Sequence, residues 1–185
     1  MFILYALVLG VLFGLALGGR LAGLADLRFR WGGLILGGLM VQVILFSGPV
    51  AERVGGWGAP IYVASTAAVL AALLRNAAIA GLPVVALGAA SNLAAIIANG
   101  GYMPASPGAL VTFGKATIDG YSNSAVVARP ALEPLTDLFA LPRFVPFANV
   151  FSIGDLLIGL GIAIAIAWAM RREPRAEHRT ATEGV

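Results

Sequence analysis

Residues 147–170 read Phe-Ala-Asn-Val-Phe-Ser-Ile-Gly-Asp-Leu-Leu-Ile-Gly-Leu-Gly-Ile-Ala-Ile-Ala-Ile-Ala-Trp-Ala-Met, an apolar run holding a single carboxylate, Asp155. About 20 apolar residues in a helix reach ~30 Å, the hydrocarbon thickness of a bilayer. Four further apolar segments precede it, at about 1–19, 31–48, 57–74 and 77–98, and the last covers about 150–170. Only 11% of the 185 residues are charged and 59% are hydrophobic, where a soluble domain carries ~25% charged residues. There is too little polar surface to coat a globule. The expectation is an all-α, polytopic transmembrane bundle of about five helices, forming one membrane domain over 1–170 with no second soluble domain.

The charges give that bundle a direction. With five crossings, Arg20, Arg28, Arg30, Arg75, Arg171, Arg172, Arg175 and Arg179 fall on one side, and Arg53, Lys115, Arg129 and Arg143 on the other. The richer side belongs in the cytoplasm, so the N-terminus and the connection 99–149 lie outside and the C-terminus inside. Trp31, Trp57 and Trp168 fall at segment ends, where indole rings anchor at the headgroups. The first segment lacks a basic n-region and exceeds a signal peptide's usual apolar stretch, so it reads as a retained helix. Arg75 and Asn76 alone separate the third and fourth segments, which predicts a tight hairpin. Pro83 falls in the first turns of the fourth and predicts a kink there.

Gly10, Gly14 and Gly18 recur every fourth residue in the first segment, as do Gly33 and Gly37 in the second. That spacing lets helix backbones approach, either within the chain or against a second copy or another membrane protein. The absence of cysteine excludes disulfides and thiolate chemistry. The single histidine, His178, sits in a charged tail, 171–185, that reads as disordered and cytoplasmic. No metal site, cofactor site or nucleic-acid footprint is expected; the expected surroundings are membrane lipid.

Function is expected in the connection 99–149, which is far longer than the others and rich in aromatic and aliphatic residues. It reads as a folded outer cap. Leu135, Leu138 and Phe139 are spaced i, i+3, i+4 and predict a short amphipathic helix with Thr136 and Asp137 on its polar side. An intramembrane carboxylate is a functional-site candidate by default, and Asp155 must face protein or water. Its plainer role is to pin a helix end, with Asn149 or Ser152 capping that helix. Asn92 and Asn99, two helical turns apart, point toward the same outer end as Asp155. The candidate binding residues are therefore Asn92, Asn99, Tyr102, Asn149, Ser152 and Asp155.

With its motifs Asn-Gly-Gly-Tyr-Met-Pro (99–104) and Asn-Val-Phe-Ser-Ile-Gly-Asp-Leu-Leu-Ile (149–158), the chain resembles a bacterial membrane family catalogued as a domain of unknown function. The resemblance implies a multi-spanning inner-membrane protein and no stated activity. Phe151, Ser152, Ile153, Gly154 and Asp155, followed by Ile158 and Gly161, are also similar to the Phe-Asn-x-Ala-Asp-x-x-Ile-x-x-Gly motif of lipoprotein signal peptidases. Those are membrane aspartyl proteases with one catalytic aspartate at the outer start of the last helix, where Asp155 stands. Ser152 and Gly154 depart from the motif. The family's second motif, Gly-Asn-x-x-Asp-Arg, meets Ser91-Asn92-Leu-Ala-Ala95-Ile96 here, so Ala95 stands in place of the second aspartate.

An aspartyl protease needs two carboxylates sharing a proton. Asp137, or else Asp119 or Glu133, would have to fold back from the outer loop to serve as the second. The expectation is thus a non-enzymatic membrane protein that engages a lipid, peptide or membrane-protein partner at its outer face. The alternative is a membrane aspartyl hydrolase with Asp155 and Asp137 as candidate catalytic residues.

Overall fold

Glycine and alanine set the spacing of the helices. The computed structural model describes residues 2–113, 124–125 and 127–172. In chain order the helices are α1 (Phe2–Ala16), α2 (Gly32–Leu45), α3 (Gly48–Ala51), α4 (Gly58–Arg75), α5 (Leu82–Ala98), α6 (Pro107–Phe113) and α7 (Ile153–Arg171). The five long ones stand in the spatial order α1, α7, α5, α4, α2, so the last helix inserts between the first and the fifth. A Cβ on Gly10 would lie 2.9 Å from the Cα of Ala163, and one on Gly81 2.2 Å from the carbonyl of Gly161. Such approaches demand glycine, and they bring long stretches of backbone into van der Waals contact.

The contacts also fix directions. Gly10 meets Ala163 and Gly14 meets Met170, so α1 and α7 run parallel. Gly81 meets Gly161 and Gly88 meets Gly154, so α5 runs against α7. Gly38 packs on Ser65 and Val69, and Asn76 at the end of α4 bonds Arg30 just before α2, so those two are antiparallel. At one end of the row Arg20 N donates to Met170 O (2.7 Å), and Arg30, Arg75, Arg171 and Arg172 gather at this same end. The opposite end carries the connection 99–149.

Two of the helical stretches, Gly55–Arg75 and Ile153–Arg171, are long and apolar enough to cross a membrane by length and composition; the other three apolar helices have 10–17 residues. Three of the five crossings expected from the sequence thus meet helices, α1, α2 and α5, clearly shorter than their apolar segments. Glycine explains part of the shortening. Gly18 (φ +79°) ends α1 at Ala16, with Gly19 N bonded to Gly14 O (2.9 Å), which is the Schellman ending. Gly81 (φ +86°) delays α5 to Leu82. Pro83 therefore occupies the first turn, where its missing N–H has no partner to lose, and the kink expected from it is absent.

The cap is built from short pairings. β1 (Met103–Pro104) runs parallel to β2 (Ser124–Ala125). β3 (Phe139–Ala140) runs antiparallel to β4 (Val150–Phe151), pairing Phe139 with Phe151. Asp137 bridges Ala105: its N–H donates to Pro104 O (2.9 Å), and its carbonyl accepts from Ser106 N (3.0 Å). Met103 carries the cap into the bundle core, in one cluster with Leu45, Ala51, Tyr62, Ala95 and Ile96.

The amphipathic helix expected over Leu135–Phe139 does not form. A 3-10 turn, Glu133–Leu135, gives way to extended backbone at Thr136 (ψ 179°), and Thr136 and Asp137 are buried rather than on a polar face. Three spaced apolar residues cannot outweigh Pro134 and the strand partners on either side. Of the expected disordered tail, 171–185, Arg171 is instead the last residue of α7 and Arg172 its C-cap. Residues 173–185, with His178, lie outside the described residues, and so does Asp119.

Candidate functional site

The start of α7 is fixed from both directions. Phe151, in β4, stacks its ring on Phe139 (centroids 5.5 Å apart). Ser152 follows in extended geometry (φ −105°, ψ 173°) as the N-cap. Its Oγ accepts from Asp155 N (3.1 Å), and Asp155 Oδ2 accepts from Ser152 N (3.0 Å). This is a reciprocal capping box closed by aspartate, and the negative charge sits where the helix dipole favours it. Of the two capping candidates, Ser152 is the cap. Asn149 lies outside the helix, donating from Nδ2 to Val150 O (2.7 Å) and accepting at its carbonyl from Leu141 N (3.0 Å).

Asn92 joins the box from α5. Its Nδ2 donates to Asp155 Oδ1 (2.9 Å), and its Oδ1 accepts from Ser152 Oγ (2.8 Å). Ser152 Oγ also lies 3.2 Å from Asp155 Oδ2, but it has one proton, and the shorter contact takes it. The result is a closed ring. Asp155 N donates to Ser152 Oγ, Ser152 Oγ to Asn92 Oδ1, Asn92 Nδ2 to Asp155 Oδ1, and Ser152 N to Asp155 Oδ2. Ser152 is fully buried and Asp155 half-buried. Both of the Asp155 carboxyl oxygens accept hydrogen bonds.

Glycine makes the ring possible. A Cβ on Gly154 would lie 1.9 Å from Asn92 Oδ1 and 2.8 Å from Gly88 O, and one on Gly88 would lie 2.4 Å from Gly154 O. An alanine at 154 would occupy the space that the Asn92 amide fills.

Among the described residues, none of the remaining sequence candidates is a hydrogen-bond partner of the ring. Asn99, the C-cap of α5, donates from Nδ2 to Ala95 O and Ala131 O (both 2.8 Å) and accepts at Oδ1 from Ala131 N (2.8 Å). Its amide holds down the cap. Tyr102 packs on the cluster around Met103 and Tyr62. Asp137 is two residues before Phe139 and is tied by its backbone to Pro104 and Ser106. Among the described residues, the hydrogen-bond partners of Asp155 are Asn92 and Ser152, and no three His, Asp or Glu residues gather in a metal-binding group.

Sequence reasoning missed Asn76, the C-cap of α4. Its Nδ2 donates to Ala72 O and Arg30 O (both 2.7 Å), and its Oδ1 accepts from Arg30 N (2.8 Å). The arrangement is that of Asn99 repeated at the opposite end of the molecule. The available signal was an asparagine at the last position of an apolar run, immediately before a turn.

Residues 26–167 match a single family across α2 to α7, including both motif segments and the whole Asn92–Ser152–Asp155 ring. The chain belongs to DUF5317, a family of unknown function. No curated protein and no solved structure matches it. In this DUF5317 chain the chemistry of the ring is that of a clasp: it joins α5 to α7, and each of its polar groups that faces another is matched donor to acceptor.

Proposed function

We propose that this DUF5317 chain is a five-crossing integral membrane protein of the bacterial inner membrane, with its N-terminus and cap outside and its C-terminus inside. The alternating directions of the five apolar helices support this, as does the collection of arginines at the end away from the cap. So does the surface: Leu12 and Phe13 on α1 and Leu36 and Val43 on α2 are 56–71% exposed, where a water-soluble protein would bury them. α7 is ~28 Å long at ~1.5 Å per residue, and the shorter helices reach ~21–26 Å. Their mismatch is absorbed by local bilayer thinning at a fraction of a kcal/mol per Å.

The role we infer is non-enzymatic: the cap engages a lipid, peptide or membrane-protein partner at the outer face. The observation that carries this reading is the closed Asn92–Ser152–Asp155 ring. Asp155 spends its oxygens on an amide and a backbone N–H, and among the described residues no second carboxyl is bonded to it to share a proton as in an aspartyl dyad. Above the ring the cap presents Phe144 and Phe147, 86% and 66% exposed, the residue type enriched at interaction surfaces.

The test is site-specific photo-crosslinking from Phe144 and Phe147 in intact membranes, alongside an assay with a lipidated signal-peptide substrate. Discrete, position-dependent adducts with no cleavage are expected. Substrate cleavage that disappears in Asp155→Asn would replace this reading with the hydrolase related to lipoprotein signal peptidase.

A further inference from the structure

The groove between α1 and α7 opens sideways, away from the cap and the ring. It has a volume of about 690 Å³ and is lined by apolar residues including Leu9, Leu12, Phe13, Leu160 and Ile164, with Trp168 and Arg171 at one end. That is within the ~300–1,000 Å³ of small-molecule sites. Its polar groups are confined to the end where α1 and α7 finish together, with Arg20 bonded through its backbone to Met170. Arg172 stacks its guanidinium 4.4 Å from the Trp168 ring centroid. Arg20, Arg171 and Arg172 are exposed, and among the described residues no carboxylate pairs with them.

Length identifies the occupant. From Leu160 to Arg171 the groove climbs eleven residues of α7, or ~16 Å at ~1.5 Å per residue. That is about one leaflet of a ~30 Å hydrocarbon core. The groove is thus apolar for one leaflet's depth, carries an indole at the level of the headgroups, and ends in arginines. Arginine matches phosphate through its planar fork of donors.

We propose that this groove is a binding site for one anionic phospholipid of the arginine-side leaflet. An acyl chain lies between α1 and α7, and the headgroup phosphate meets Arg171 with Arg20 and Arg172 beside it. The site rests on the membrane reading above, but not on the role given to the cap.

The experiment uses the full chain purified in mild detergent, with native mass spectrometry and thermal unfolding in added phosphatidylglycerol, phosphatidylcholine or inorganic phosphate. The wild-type chain is expected to retain one anionic lipid and to be stabilised by phosphatidylglycerol more than by phosphatidylcholine, and not by phosphate alone. Arg171→Gln, at an exposed position, should reduce the preference for phosphatidylglycerol about fivefold, the equivalent of ~1 kcal/mol for one basic residue at a membrane surface. Ala16→Phe, which adds bulk from an exposed edge of the groove, should lower retention of both lipids.

Equal stabilisation by the two lipids, or retention unchanged in both variants, overturns the proposal. So does a dimer cross-linked through residue 16, which would make a second copy the occupant. A chain recovered in the soluble fraction without detergent would instead overturn the membrane reading itself.

Discussion

Replacing Asp155 by asparagine and by alanine separates a clasp from a catalytic group. In Asp155→Ala, Asn92 Nδ2 and Ser152 N both lose their acceptor. A buried donor left unsatisfied costs ~1–3 kcal/mol. Asp155 is only half-buried, so water reaches part of the gap and the total should fall near ~2–4 kcal/mol.

Asp155→Asn offers one acceptor where the carboxylate offered two, which at first leaves an amide facing an amide. Turning the Asn92 amide over resolves the conflict. The new amide then donates to Asn92 Oδ1, and Asn92 Nδ2 donates to Ser152 Oγ. Ser152 N still reaches the new side-chain oxygen. Ser152 Oγ, no longer able to donate to Asn92, turns its proton to that same oxygen, 3.2 Å away in the wild type, so every member of the ring is satisfied. What is lost is the difference between charged and neutral hydrogen bonds and the dipole contribution, ~1–2 kcal/mol together.

The assay is reversible unfolding in mixed micelles, followed by tertiary circular dichroism. The expected order is wild type, then Asp155→Asn, then Asp155→Ala. The double variant with Asn92→Ala should be less destabilised than the sum of the two single changes, because the residues share one network. If both Asp155 variants lie within ~0.5 kcal/mol of wild type, the surface-substitution range, the ring is not a clasp and the reasoning fails.

Gly154→Ala should destabilise by more than ~3 kcal/mol or prevent folding, because its Cβ would sit 2.8 Å from the Gly88 backbone carbonyl, which cannot swing aside, and would displace the Asn92 amide from the ring; Gly37→Ala, with open space around it, should be neutral or slightly stabilising in the same unfolding assay. With no native cysteine, Glu133→Cys should react with an impermeant maleimide from outside intact cells and Arg28→Cys only after permeabilisation; the reverse pattern would invert the topology. Asn99→Ala removes both bonds to Ala131 and should speed limited proteolysis near residue 131 without changing helix content; an unchanged cleavage rate would mean that the cap is held elsewhere.

The helices were legible because their signal is redundant: each apolar segment offers a dozen or more residues that agree. Helix ends were less so. Composition does not separate a glycine inside a helix from one that ends it, and both Gly18 and Gly81 read as members of apolar runs until their positive φ is seen. The meeting of Asn92 and Asp155 followed from topology, since alternating helices place the end of α5 beside the start of α7, and the two side chains are 2.9 Å apart. The cap was legible only as a folded segment. Its order depends on pairings between residues far apart, Phe139 with Phe151 and Ala105 with Asp137, and no local period encodes a partner more than ten residues away. Asn99 looked like a binding group because asparagine is polar at an outer helix end; its amide is taken up by the Ala131 backbone.

Asn76 and Asn99 place one device at opposite ends of the molecule. Each caps its own helix by donating to the carbonyl four residues back, and each also meets both backbone groups of a distant residue, Arg30 or Ala131. Only a primary amide can do this, since it must donate twice and accept once. Asn76 is 5% exposed, so water does not substitute for it. Asn76→Asp is nearly isosteric but would keep only the bond from Arg30 N, turning a carboxylate oxygen toward the carbonyls of Arg30 and Ala72. Asn76→Leu strands those groups but adds no charge. The aspartate variant should therefore be the less stable of the two at neutral pH, although it is the closer in shape. The sign with pH follows: a carboxyl facing two carbonyls holds its proton more tightly folded than unfolded, so stability should rise on acidification and fall as pH increases. Asn76→Leu should show no such dependence relative to wild type. Unfolding curves at acid and neutral pH decide it, and an aspartate variant as stable as wild type at neutral pH would show that the amide donors do not hold this end of the bundle.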